Sequence, residues 1–497
     1  MSEFSDLLDL ASERVGGQVL ATNDDFFAPK ENLIKASKPI WVEDKYTDRG
    51  KWMDGWESRR RRTPGHDWCI LQLGIPGVIS QVVVDTSYFR GNFPDSCSLE
   101  ACAIEKSNIE LAGGTPWTEL LPRSQLKGDS QNTFAISDPH RYTHLRLSIY
   151  PDGGVARLRV FGEAIPELGE SIGSQNLTDL AALHHGGRIL DCSDRFFSAP
   201  QNLLMPEKSS GMHDGWETKR RRGPGYDWVT MKLGVAGMIH AIEVDTSYFK
   251  GNFPESCSLE VCTGERGQSD SASCSWHELL PRTTLTADSV HRFEIPAPRS
   301  ASNVRFNIYP DGGVARLRIY GVPEKSSLVQ ARLRWLNSLP DYAARSVLLN
   351  CCGSQNWAES MTQCRPFAGV KELLDQHAAI SSGLTAEEWK EAFAAHPKIG
   401  EEKDTISSGQ AQRWSQQEQS AASSASIQIK NALQRRNQEY YERFGYIFIV
   451  CASGKSAEEM LAILTERLGN DPARELAVAA EEQTKITQLR LQKLIGA

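Results

Sequence analysis

The segment Asp54-Gly-Trp-Glu-Ser-Arg-Arg-Arg-Arg-Thr-Pro-Gly-His-Asp-Trp68 returns 160 residues later as Asp214-Gly-Trp-Glu-Thr-Lys-Arg-Arg-Arg-Gly-Pro-Gly-Tyr-Asp-Trp228. Asp85 to Glu100 returns at Asp245 to Glu260 with Lys250 for Arg90 and Glu255 for Asp95, and Ile149 to Arg159 returns unchanged at Ile308 to Arg318. A chain that repeats itself in this way holds one structural unit twice, so residues 1–165 and 166–324 are expected to be two copies of one domain. Within each copy, runs such as Val78 to Val84 and Leu145 to Ile149 cluster β-branched residues between Gly, Pro, Asn and Asp punctuation. That pattern predicts many short antiparallel strands. Two sheets closed over one another, an all-β jelly roll or β-sandwich, would bury one face of each strand.

Residues 325–335 read as a linker, after which the pattern changes. Thr385 with Glu388 and Ser456 with Glu459 have capping-box spacing, and Pro472 opens a run to Leu494, so residues 336–497 predict a mostly α-helical domain of unrelated fold. A length of 497 residues fits three such domains. Its 24% charged and 40% hydrophobic residues exclude a disordered or collagen-like chain. No apolar run approaches membrane-spanning length, and a net charge of -8 argues against nucleic acid as the main partner. Eleven sparse cysteines without a CxxC pair predict reduced thiols and no structural zinc. With an acidic start and the ending Ile495-Gly496-Ala497, the expected setting is cytoplasmic in preference to peroxisomal.

The repeated segments are rich in groups that suit no sandwich core: Asp54, Glu57, Arg59, Arg60, Arg61, Arg62, Asp67, Asp85, Arg90, Asn92, Asp152 and Arg157. Arginine forks hold a carboxylate or a urea oxygen, and carboxylates accept urea N–H groups, bind a metal or activate water. The competing reading is a buried salt network at an interface. If His66, replaced by Tyr226 in the second copy, is a base or metal ligand, only the first copy can use it there and the copies are not equivalent. In the helical part, His396 stands at a helix end before Pro397, where the helix dipole favours an imidazolium. Ser415, Glu418 and Gln419 share a turn of a predicted helix, and Phe444 to Cys451 reads as a buried core strand.

Taken together in order, the motifs around Asp54, Asp67, Asp85 and Tyr150, with their tandem copy, resemble the allantoicase family over about residues 1–324. The resemblance implies hydrolysis of allantoate to ureidoglycolate and urea on paired jelly rolls. Arg59 to Arg62 and Arg157 are assigned to the substrate carboxylate, Arg90, Asn92 and Asp152 to further substrate contacts, and Asp54, Glu57, His66 and Asp67 to water activation or a divalent metal, whose identity is left open. Residues 336–497, through His396-Pro397, Trp414 to Gln419, Tyr440 to Lys455 and Thr484 to Arg490, resemble OHCU decarboxylase, a cofactor-free enzyme that forms (S)-allantoin from 2-oxo-4-hydroxy-4-carboxy-5-ureidoimidazoline. This resemblance implies His396 as the catalytic histidine and Glu418 as its partner. It implies Pro397, Ser415, Gln419, the strand Phe448, Ile449, Val450, Cys451 and Ala452, and Arg490 as substrate contacts. The expected protein is a bifunctional enzyme of purine breakdown acting on small ureides, a homo-oligomer, with allantoinase as a candidate partner because allantoin must be ring-opened before allantoicase can act. The competing class is a binding protein, with the jelly rolls as ligand modules and only the helical domain catalytic.

Overall fold

In the computed structural model, residues 7–104, 114–169, 172, 177–263, 275–396, 414 and 426–497 are described. The chain divides into two compact units, Met1–Leu339 and Pro340–Ala497.

In the first unit each repeat is organised around one long strand. The strands of the first repeat used below are β1 (Gln18–Thr22), β2 (Asp67–Asp85), β3 (Ser96–Cys102), β4 (Thr118–Gln125), β5 (Gln131–Ala135), β6 (Arg141–Tyr150) and β7 (Arg157–Ala164). The first part of β2 lies between β6, with Asp67 opposite Ile149, and β1, with Cys69 opposite Thr22. Its last part lies between β7, with Asp85 opposite Arg157, and β5, with Val82 opposite Phe134. One strand therefore serves two sets of partners, which is how a sandwich turns a corner. Gly74 and Gly77 stand at the change of partner, where a Cβ would lie 2.4 Å from Val15 O and 2.2 Å from Glu163 O, so only glycine fits.

The second repeat reproduces this with β8 (Arg188–Cys192), β9 (Asp227–Asp245), β10 (Ser256–Cys262), β11 (His277–Thr284), β12 (Val290–Tyr309) and β13 (Arg316–Pro323). Alternate residues of both long strands, among them Leu71, Leu73, Ile75, Val82 and Val84 and their counterparts Met231, Leu233, Val235, Ile242 and Val244, join one continuous apolar core that spans both repeats. The repeats are also tied by polar contacts. The Arg14 guanidinium donates to Asn202 Oδ1 at 2.8 Å and pairs with Asp214, and Arg188 pairs with Glu163 at 2.7 Å.

Two expectations are corrected in this unit. The stretch 325–335, read as a linker, is helical: α1 (Lys325–Ser338) places Leu328 in the core, accepts from Ala236 N on Ser327 Oγ at 2.8 Å, and sets Arg334 against Glu163 at 2.5 Å. Its apolar positions Leu328, Val329, Leu333 and Leu336 have helical spacing, a signal outweighed in the sequence by the polar start at Lys325. Cys262 is disulfide-bonded, against the expectation of reduced thiols throughout. Cys69, Cys97, Cys102 and Cys257 are free and buried, and burial pushes their thiols up, to about 12 for Cys97, Cys102 and Cys257.

The second unit contains α2 (Asp341–Cys352), α3 (Gln355–Gln363), α4 (Val370–Ser382), α5 (Ala386–Ala394), α6 (Ile427–Phe444), α7 (Ala457–Arg467) and α8 (Pro472–Ile495). The capping boxes form as expected at Thr385/Glu388 and Ser456/Glu459, and Asp471 caps α8 ahead of Pro472. The segment 447–452 forms no strand, because no strand of this unit's described residues runs beside it. Side chains satisfy its backbone instead: Glu482 accepts from Cys451 N at 2.8 Å, Arg467 donates to Ile449 O at 2.7 Å and Lys455 to Cys451 O at 2.6 Å.

Arg467 is held by Glu475, which is fully buried and also accepts from Tyr440 Oη at 2.5 Å and Asn470 Nδ2 at 2.7 Å. Removing one partner of such a pair leaves an uncompensated buried charge. Glu475→Ala should therefore cost this unit about 3–5 kcal/mol, and Tyr440→Phe only about 1 kcal/mol, in chemical denaturation followed by helical circular dichroism.

Candidate active site

At one end of the first sandwich the residue before β2 and the turn after β6 meet. Asp67, 1% exposed, accepts through Oδ1 from Arg61 at 2.6 Å and from Asn23 Nδ2 at 2.9 Å, while its Oδ2 is buried without a hydrogen bond. The Nε of Arg61 is likewise buried and unpaired. Asp152 accepts from Arg61 N at 2.9 Å, and the His66 ring leans on Tyr150 at 4.9 Å. Arg123 covers the other side of that phenol at 4.3 Å. Gly65 sits at φ +139°, a conformation that favours glycine, with Arg61 Nη2 2.8 Å from where a Cβ would lie. Glu57 accepts from Asn92 Nδ2 at 2.6 Å, and burial pushes its carboxyl up, the Asn92 contact opposing this.

The second repeat builds the same cluster. Arg221 pairs with Asp227 and donates its backbone N–H to Asp311 at 2.8 Å; Ser193 takes the place of Asn23 at 3.0 Å; Tyr226 leans on Tyr309 at 4.9 Å under Arg282 at 4.3 Å. The Nε of Arg221 is again buried and unpaired. A buried guanidinium N–H and a buried carboxylate oxygen without partners are costly to keep. They are the groups that a ureide, with its carbonyl acceptors and N–H donors, would satisfy.

Other candidates are placed elsewhere. Arg157, 1% exposed, spends Nε on Ser37 O, Nη1 on Asp54 O and Ala156 O, and Nη2 on Asp54 Oδ2. Four of its five N–H donors are thus spent within the protein, and with Asp54 it forms a buried salt pair. Asp85 caps Ser87 N at 2.8 Å. Arg59 pairs with Asp24, Arg90 with Asp129, and Arg60 and Arg62 are exposed. Arg123 and Arg282 were not among the candidates, although Glu119-Leu-Leu-Pro-Arg123 returns as Glu278-Leu-Leu-Pro-Arg282. Among the described residues no group of three or more His, Cys, Asp or Glu could hold a metal ion, and the guanidinium on Asp67 would repel a cation there.

In the helical unit, His396 lies just past α5. Its Nδ1 is 3.5 Å from the Arg490 guanidinium and its Nε2 is buried without a hydrogen bond. Facing it on α8 is Gln483, fully buried, whose Oε1 is also without a hydrogen bond. Gln483 was not among the candidates, though it stands two helical turns before Arg490, on the same face. Phe448, Ile449, Val450, Cys451 and Ala452 are buried as described above. Pro397, Ser415, Glu418 and Gln419 lie outside the described residues. The expected imidazolium is corrected: loss of water by burial, and then the Arg490 charge, push His396 down to about 3, Gln483 opposing, so the ring is neutral at physiological pH.

A family model described as allantoicase repeat matches residues 8–165 and 178–324, and one for OHCU decarboxylase matches residues 337–492. The chain belongs to the allantoicase family. A probable allantoicase of Pseudomonas paraeruginosa is 47% identical over 65% of this chain and 97% of its own length, and one of Photobacterium profundum is 45% identical over 64% and 97%. The crystal structure of allantoicase from Saccharomyces cerevisiae is similar with a TM-score of 0.54 at 34% identity, over 64% of this chain and 94% of that one. A structure of OHCU decarboxylase in the presence of (S)-allantoin is 35% identical over 31% of this chain and 99% of that one, with a TM-score of 0.27. The chain therefore joins an allantoicase region to a C-terminal OHCU decarboxylase domain, a hydrolase and a lyase of purine catabolism in one chain. No helix among the described residues is long and apolar enough to cross a membrane.

The neutral His396 has a measurable consequence. As pH falls below the ordinary histidine value of about 6.5, the unfolded chain takes up a proton that the native ring refuses until about 3. Stability of the helical unit should thus drop on acidification over that window, by up to about 1.4 kcal/mol per pH unit for this group. His377, pushed down by burial against its contact with the Thr484 carbonyl, acts in the same direction. Denaturation midpoints at pH 7 and pH 5 should differ less in His396→Gln than in the native chain.

Proposed function

We propose that the two sandwich ends hydrolyse allantoate to ureidoglycolate and urea, the reaction of an amidine hydrolase, and that the helical unit is a carboxy-lyase converting 2-oxo-4-hydroxy-4-carboxy-5-ureidoimidazoline to (S)-allantoin. The observation that supports the first reading best is the Arg61–Asp67 pair, duplicated as Arg221–Asp227, with an unpaired Nε in each copy. The guanidinium holds the substrate carboxylate or a ureido oxygen through paired hydrogen bonds. The bond between the central carbon and one ureido nitrogen breaks. Glu57, whose carboxyl burial keeps protonated to higher pH, gives its proton to the leaving nitrogen. Water adds to the carbon and loses its proton toward the free oxygen of Asp67. The donor set next to Arg61 does not fit a divalent metal, so no step passes through one.

In the helical unit, loss of carbon dioxide leaves a carbanion delocalised over the imidazoline, which needs one proton on one face. An anionic substrate seated against Arg490 offsets the charge that, after burial, keeps His396 neutral, so the imidazole takes up a proton as substrate binds and returns it to the carbanion. The product of this unit is not the substrate of the other. A ring-opening hydrolase must act between them, in a cytoplasmic setting.

If both ends are active, Asp67→Asn and Asp227→Asn should each leave about half of the urea release, and the double variant should lose about 100- to 10,000-fold. Abolition by one single variant would assign the activity to that copy, and no urea release by the native chain, with or without divalent metal, would overturn the hydrolase reading. His396→Asn should stop decarboxylation with helical circular dichroism unchanged; a fully active variant would overturn its role.

A further inference from the structure

The second repeat carries a polar ledge on its sheet that the first does not. Antiparallel register sets Arg305 on β12 opposite Glu260 on β10, and Asn307 opposite Ser258 on β10 and Trp228 on β9. Because side chains alternate along a strand, these groups share one face. The Arg305 guanidinium lies 5.2 Å from the Trp228 ring and 4.9 Å from that of Trp276. Its carboxylate neighbour Glu260 is 4.0 Å away and accepts instead from Asn307 Nδ2 at 3.1 Å. Three buried polar atoms are left without hydrogen bonds: Arg305 Nε, Trp276 Nε1 and Asn307 Oδ1, the last on a side chain only 2% exposed.

In the first repeat the same positions are closed. Arg146 holds Glu100 at 2.5 and 2.7 Å, and Ser148, too short to reach that carboxylate, stands where Asn307 stands in the second copy. One exchange, serine for asparagine, draws the glutamate to Asn307 and leaves it 4.0 Å from the arginine, whose Nε has no hydrogen bond. The guanidinium sits on a long side chain with 24% of its surface exposed, so it can turn to present Nε.

We propose that this ledge binds a small planar ureido acid. A carboxylate or urea oxygen accepts from Arg305 Nε and Trp276 Nε1, a ureido N–H donates to Asn307 Oδ1, and the planar group lies against the indoles. The site uses none of the Arg221–Asp227 pair's own atoms, although Asn307 Nδ2 also donates to Ser258 Oγ, which bonds Tyr309 of that cluster, and it requires binding only, not hydrolysis.

The test is titration calorimetry of the full chain with N-carbamoylglycine, in an Arg61→Met, Arg221→Met, Arg490→Met background that removes the sandwich-end pairs and the anion contact of the helical unit. One equivalent should bind. Asn307→Ser should weaken it at least tenfold by returning Glu260 to Arg305, and Ser148→Asn should add a second equivalent. No binding in that background, or unchanged binding in Asn307→Ser, overturns the proposal while urea release by the native chain keeps the hydrolase reading standing. If Asn307→Ser does not fold, Arg305→Gln carries the same comparison, with loss of binding expected and retention overturning the site.

Discussion

A buried guanidinium fixes each sandwich end. Burying an arginine is tolerable only when its donors are met, and Arg157 meets that condition by gripping Ser37 O, Asp54 O, Ala156 O and the Asp54 carboxylate. The grip sets the backbone from which the short strand Trp56–Glu57 starts, and that strand pairs with Gly154–Val155 beside Asp152. Arg316 does the same with Glu207 O, Asp214 O, Ala315 O and the Asp214 carboxylate. The copies differ in what completes the carboxylate. Asp54 has Lys35 at 4.0 Å from its own repeat, whereas Asp214 takes Arg14 from the other repeat. The second end is therefore tied to the first repeat by a charged contact, consistent with their shared core.

The helical unit rests on one helix that buries polar groups where a core stripe would be apolar. Along α8, Glu475, Gln483, Thr487 and Arg490 recur at helical spacing among Ala479, Ile486, Leu491 and Leu494, and all are buried. Glu475 anchors the Arg467 that holds Ile449, Glu482 holds Cys451, and Gln483 and Arg490 face His396. A single helix thus positions both the backbone of 449–451 and the histidine. Burying that many polar groups is costly unless each has a partner, and two of the atoms left without one, Gln483 Oε1 and His396 Nε2, fall at the proposed site.

Much of this was legible in the residues. Exact repetition exposed the two copies, strand punctuation their class, and capping spacing the starts of α5, α7 and α8. What was not legible was pairing. Asp54, Arg157, Arg61 and Asp67 are equally polar in the sequence, and only the fold shows that the first two consume each other while the second two leave valences open. Likewise Phe448 to Ala452 is apolar enough for a strand, but a strand needs a neighbour, and helices offer side chains instead. Gln483 was hidden because an amide within Glu-Glu-Gln-Thr reads as a solvated face until the helix is rotated to bury it.

The state of His396 shows how magnitudes decide between two sound rules. A helix C-terminus favours an imidazolium by about 0.3–1 kcal/mol when exposed. Burial together with a guanidinium 3.5 Å away acts the other way, and a fall to about 3 corresponds to several kcal/mol. The weaker rule was the one visible in the sequence, since Pro397 marks the helix end while Arg490 lies 94 residues away. The same arithmetic favours an anion at this site. A negative charge close to Arg490 would return the part of that energy due to the guanidinium, burial being the larger part, so a proton on the ring should arrive with the ligand and not before it.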